Sequence, residues 1–149
     1  MDRRLRTIEW VAVLVVLIAI LAVTFWPTRV DAGADGALSA LFRRWHADGV
    51  PAFVDYDLLQ SVANVVMFLP FGALVASVAM RPLWWVSGVI GLTLSLVVES
   101  GQAMFLPARL ASVGDLATNT AGALLGGAVV WALRTARDRR RRTSKGMRA

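Results

Sequence analysis

The sequence predicts an all-α integral membrane protein, a four-helix bundle with both termini cytoplasmic. Three observations predict it. The hydrophobic fraction is 57% and the charged fraction 17%, against about 45–50% and about 25% in soluble domains, and the mean hydropathy is +0.61. Four apolar stretches each approach the length needed to cross a hydrocarbon core of about 30 Å. Lys and Arg gather at Arg3, Arg4, Arg6 and Arg81 and in the eight positions after residue 133. A cytoplasmic excess of Lys and Arg with an even number of spans puts all of these on the inner side.

The first span, 8–26, carries no charge after Glu9 and covers roughly 28 Å. Trp26 and Pro27 mark its far interface. Val30 and Ala32 would suit signal cleavage, but the apolar core exceeds the usual ~7–15 residues, so an uncleaved anchor is expected. An outer loop, 27–60, follows. Within it, over 37–47, Leu38, Leu41, Phe42 and Trp45 fall on one helical face, away from Arg43, Arg44 and His46. Such a helix lies on the outer leaflet or packs over the bundle mouth, and the pattern leaves both open. Asp57 and Gln60 resemble a capping box opening the second span, 61–80. Pro70 and Gly72 are expected to kink that span. Arg81 occupies the turn before the third span, 83–106, which Pro107 stops. The fourth span, 115–133, has Ser112 as a cap and ends in a basic cytoplasmic tail, 134–149. Residues 1–133 form one transmembrane domain. The tail is read as a topology anchor that binds anionic lipid, not nucleic acid.

The chain has no Cys, which excludes disulfides, thiol catalysis and Cys-based metal sites, and its single His46 argues against a His-based zinc site. No metal and no cofactor is expected. The polar residues are the informative ones. The second span runs inward and the third outward. Asn64, Glu99, Gln102, Asp115 and Asn119 therefore converge near the outer leaflet, with Arg109 in the connection above them. Ser87, Gly91, Ser95 and Glu99 recur every four residues, and Asp115, Asn119, Gly122 and Gly126 form a matching stripe. Small residues let membrane helices approach closely, so the third and fourth spans are expected to form a tight hairpin.

Each of these side chains has two readings. An ionisable group inside a bilayer costs about 2.5–3.5 kcal/mol at its centre. Glu99 therefore marks a function or pairs with Arg109 or Asn119. Asp115 either acts with Glu99 as an acid–base pair or favours a helix N-terminus. Arg109 has a planar fork suited to phosphate or carboxylate. Asn64, Gln102 and Asn119 bind a ligand or bridge helices.

The blocks N-V-V-M-F-L-P-F-G at 64–72, E-S-G-Q at 99–102, Arg109, and D-L-A-T-N-T-A-G at 115–122, in this order, resemble the VanZ-like family. The resemblance covers about residues 57 to 127. It implies a small multi-pass protein of the bacterial cytoplasmic (inner) membrane. The family's namesake is associated with glycopeptide resistance, in particular lowered susceptibility to teicoplanin. The resemblance favours a cell-envelope protein that binds an outer-leaflet phosphate, a lipid headgroup or a lipid-linked cell-wall precursor through Asn64, Gln102, Arg109 and Asn119. Two other readings stay open. One is a membrane-embedded enzyme with Glu99 and Asp115 as catalytic acid and base and Arg109 as phosphate clamp. The other is a small transport or channel subunit, which would need an oligomer.

The topology is directly testable, because the chain has no cysteine of its own. Asp35→Cys is expected to react with an impermeant maleimide in intact cells. Labelling only after lysis would reverse the predicted sidedness.

Overall fold

The structure, a computed structural model, describes residues 3–25, 35–79, 83–105 and 112–146. Over these residues the chain is helical in five elements: α1 (Arg3–Thr24), α2 (Asp35–Ala47), α3 (Tyr56–Val78), α4 (Trp84–Phe105) and α5 (Val113–Gly146). All but α2 are long and apolar enough to cross a membrane. The expectations attached to Trp26, Pro27, Val30, Ala32, Arg81, Pro107 and Arg109 lie outside the described residues.

Helix α3 begins differently from the sequence expectation. Asp55, not Asp57, is its N-cap, and its side chain accepts from the Leu58 amide at 3.0 Å. Asp57 lies in the first turn, where a carboxylate favours the positive end of the helix. Gln60 is not part of a box, because with Asp55 as the cap the third helical position is Leu58. The helix runs unbroken through Pro70, whose missing N–H leaves the Val66 carbonyl without its usual intrahelical donor.

Helix α2 ends in a defined stop. Gly49, at φ +91°, takes the left-handed conformation that ends many helices. The Val50 amide then bonds the Trp45 carbonyl at 2.9 Å, and the Gly49 amide bonds the His46 carbonyl at 3.2 Å. Helix α5 starts at Val113, where the Ser112 hydroxyl accepts from the Asp115 amide at 3.3 Å. At about 1.5 Å per residue, its 34 residues span roughly 51 Å, well beyond one hydrocarbon core. It therefore continues as a helix through the basic segment.

Packing is organised around α5. Two of its glycines face α3: Gly122 meets the Val65 carbonyl, and Gly126 meets the Leu69 carbonyl and the Ala73 amide. Reciprocally, Gly72 of α3 sits against the Ala123 backbone. None of the three has room for a Cβ, so the two backbones are in direct contact. The next face of α5 meets α4, with Ala123 seated on Gly91, Leu124 on Gly88, and Gly127 against Trp84 and Ser87. The sequence-adjacent pairing of α4 with α5 thus uses only one face of α5, and the Gly122–Gly126 stripe serves the non-adjacent helix α3.

Helix α1 packs mainly on α3. Ile20, Phe68 and Phe71 form a buried cluster, with Val16, Leu17 and Leu94 around it. The Phe68 and Phe71 rings meet edge to face with centroids 6.1 Å apart, an arrangement worth about 0.5–1.5 kcal/mol beyond area burial.

Side-chain hydrogen bonds join the C-terminus of α1, the N-terminus of α3, the C-terminus of α4 and the N-terminus of α5 at one end of the bundle, the loop end. At the opposite end the Arg134 guanidinium donates to the Ser77 carbonyl at 2.6 Å and the Ala79 carbonyl at 3.3 Å. A cation on the last carbonyls of α3 complements its dipole.

Gly126→Val is expected to force α3 off α5. Overpacking costs about 1–3 kcal/mol, and backbone at the contact cannot yield as a side chain would. Thermal unfolding in mild detergent should show a clear loss of stability. Gly36→Ala in α2 has nothing within 4 Å and should be neutral or slightly stabilising in the same assay. Equal melting of Gly126→Val and wild type would refute the contact.

Candidate functional site

The loop end collects the polar side chains of three helices. Gln60 and Asn64 are one turn apart on α3 and share a face. Both meet the Asp115 carboxylate in the first turn of α5. The Asn64 amide donates to Asp115 Oδ1 at 3.0 Å, and the Gln60 amide donates to Oδ1 and Oδ2 at 3.1 and 3.4 Å. Asp115 is half-buried, while Gln60 is exposed at the rim. The carboxylate also lies at the positive end of α5. Two neutral donors and a helix N-terminus thus hold one anion at the mouth of the bundle.

Glu99 approaches from α4. It is only 6% exposed, and its Oε2 accepts from the Ser112 amide at 2.9 Å. That amide belongs to the residue just before α5 and has no intrahelical acceptor. Glu99 and Asp115 are therefore linked through one residue: Glu99 fixes the Ser112 backbone, and the Ser112 hydroxyl caps the Asp115 amide.

The remaining predicted residues diverge. Asn119, 4% exposed, lies one turn below Asp115 and donates to the Ser95 hydroxyl of α4 at 2.9 Å. Its Oδ1 is buried and has no hydrogen-bond partner among the described residues. Gln102 turns towards α1 and donates to the Thr24 carbonyl at 2.7 Å, satisfying a C-terminal carbonyl of α1. The structure thus joins Asn64 with Asp115 directly and Glu99 with Asp115 through Ser112. Asn119 forms a lower layer with Ser95, and Gln102 belongs to the α1 junction. Arg109 lies outside the described residues, in the connection from α4 to α5.

Sequence reasoning missed Gln60, Ser95 and Arg134. Gln60 had a usable signal, since a residue four before Asn64 shares its helical face. Spacing alone gives Ser95 only the packing role of a small residue, and Arg134 only a share of the tail charge. Among the described residues, no three His, Asp or Glu side chains gather as a metal cage.

The VanZ/LLP1 family model matches residues 13–134. No curated protein and no solved structure matches the chain.

The Asn64–Asp115 contact makes a quantitative prediction. A double-mutant cycle of Asn64→Ala and Asp115→Ala, read by unfolding in detergent, should give a coupling of about 0.6–2 kcal/mol, the range for hydrogen bonds between membrane helices. Additive effects would mean the two side chains do not interact.

Proposed function

The chain belongs to the VanZ/LLP1 family of multi-pass membrane proteins, and from that premise we propose that its loop end binds a phosphate-bearing lipid headgroup. One observation carries this reading. Polar side chains from α3, α4 and α5 close into a single cluster beside the connection that bears Arg109. The cluster supplies fixed amides and carboxylates, and Arg109 supplies the planar cation that phosphate favours.

In this reading both termini are cytoplasmic, the protein sits in the bacterial cytoplasmic membrane, and the loop end is at the outer leaflet. The ligand is then a phospholipid, a polyprenyl phosphate or a lipid-linked cell-wall precursor. Holding such a molecule changes its exposure at the outer face, and with it sensitivity to a lipid-anchored glycopeptide such as teicoplanin. The helical basic segment beyond Arg134 meets anionic lipid on the inner face.

Catalysis is less well supported. Asp115 accepts two side-chain amides, and Glu99 accepts a backbone amide that needs an acceptor. Both therefore have work in holding the fold. A transport path along the α4–α5 interface meets packed groups: below Asn119, Ala123 fills the notch at Gly91 and Leu124 the notch at Gly88.

Native mass spectrometry of the protein released gently from membranes tests the proposal. The wild type is expected to retain a discrete lipid that Arg109→Ala loses, with Glu99→Gln reducing retention only in part. Folded wild type and folded Arg109→Ala that both emerge without lipid would overturn it.

A further inference from the structure

Helix α2 has little part in the bundle: among the described residues it packs extensively on no other helix. Yet it carries an apolar arc of Leu38, Leu41, Phe42 and Trp45, of which Leu41 and Trp45 stand 39% and 40% exposed. The Phe42 and Trp45 rings meet edge to face, so the arc is a joined surface. At about 100° per residue, Arg44 emerges at the flank of that arc, about 60° beyond Leu41, while Arg43 lies about 150° from its centre on the polar face.

The position of α2 is also constrained. After its glycine stop at Gly49, the chain turns back at once. The Val54 amide bonds the Pro51 carbonyl at 3.0 Å, and a ring nitrogen of His46 lies 3.1 Å from the Val54 carbonyl. The next residue, Asp55, caps α3. The last turn of α2 is therefore pinned at the level where a membrane-spanning helix begins. At that same level Phe53 is 70% exposed, and Leu58 and Leu59 also face outward. Apolar side chains that the protein leaves uncovered on the first turn of a spanning helix are met there by the lipid interface.

We propose that α2 is an interfacial helix docked on the phospholipid surface. Its apolar arc enters the boundary between headgroups and acyl chains, and Arg44 at the flank extends along its stem to lipid phosphate. Of the two placements that the sequence left open, this one is favoured because, among the described residues, no other helix packs extensively on α2. Gln60 lies five residues beyond the pinned corner, roughly 7.5 Å deeper. The docking of α2 thereby sets how far the Asp115 cluster sits below the headgroups. The inference rests on α3 crossing a bilayer, not on any ligand in that cluster, so the two proposals fail separately.

The full chain, which has no cysteine, can be spin-labelled one site at a time in phosphatidylethanolamine–phosphatidylglycerol vesicles. Labels at Leu41→Cys and Trp45→Cys should favour oxygen over a water-soluble nickel chelate several-fold more than labels at Ala40→Cys and Ala47→Cys. Leu38→Cys is a second arc position should Trp45→Cys fold poorly. Equal access of the chelate to all four would place α2 in water and overturn the proposal. Arc labels closed to both reagents would mean cover by protein, from the bundle or a second copy, and would overturn it too. Adding R44Q should raise chelate access at residue 41, and no change would remove the phosphate contact.

Discussion

The absence of side chains on one face of α5 is the constraint on which the rest depends. Water offers no large reward for pressing membrane helices together, since lipid is as apolar as their side chains. What remains is close van der Waals contact, which needs backbones to approach. Gly122 and Gly126 present bare backbone to Val65 and Leu69, and Gly72 does the same for Ala123. The hydrogens in place of each Cβ point at carbonyls, adding weak C–H···O contacts. Only with α3 seated this closely do Gln60 and Asn64 reach the Asp115 carboxylate.

A second constraint explains why the polar residues cluster at helix ends. Each helix terminus leaves backbone amides or carbonyls without intrahelical partners, and at membrane depth no bulk water replaces them. The chain answers with side chains. Asp55 and Ser112 cap the starts of α3 and α5, Glu99 takes the Ser112 amide, Gln102 takes a carbonyl of α1, and Arg134 takes two of α3. The loop end is thus held by the chain's own groups. A cluster built this way offers a preorganised surface, with Asp115 half-buried at its mouth. The orphaned Asn119 Oδ1 and Ser87 Oγ both lie on the α4–α5 seam, separated by the packed Gly88–Gly91 segment.

The motif residues divide accordingly. In the block at 64–72, Asn64 reaches α5, Phe68 is fully buried against α1, and Gly72 admits the α5 backbone. In E-S-G-Q, Glu99 faces α5 while Gln102, nearly one turn on, faces α1. Two residues that share a motif and nearly share a helical face thus serve different interfaces. Spacing along one helix gives a side chain's direction but not the identity of the neighbour it meets. The same limit explains why spacing alone points Gly122 and Gly126 at the sequence-adjacent helix α4, whereas they meet α3. A small-residue stripe announces a close approach without naming the partner.

By itself the sequence determined the class and the elements: an all-helical chain with four membrane-capable helices and a short amphipathic one between the first two. Those follow from composition and local periodicity, which the solvent selects residue by residue. It also located Asn64, Glu99 and Asp115 at a common end, because helix direction alternates along a polytopic chain. Tertiary structure decided the rest. It paired α5 most closely with α3, moved the cap of α3 from Asp57 to Asp55, gave Gln60 to Asp115, and turned Gln102 to Thr24. These outcomes depend on which backbones can touch and which orphaned groups fall within reach, and both are set only when the helices pack.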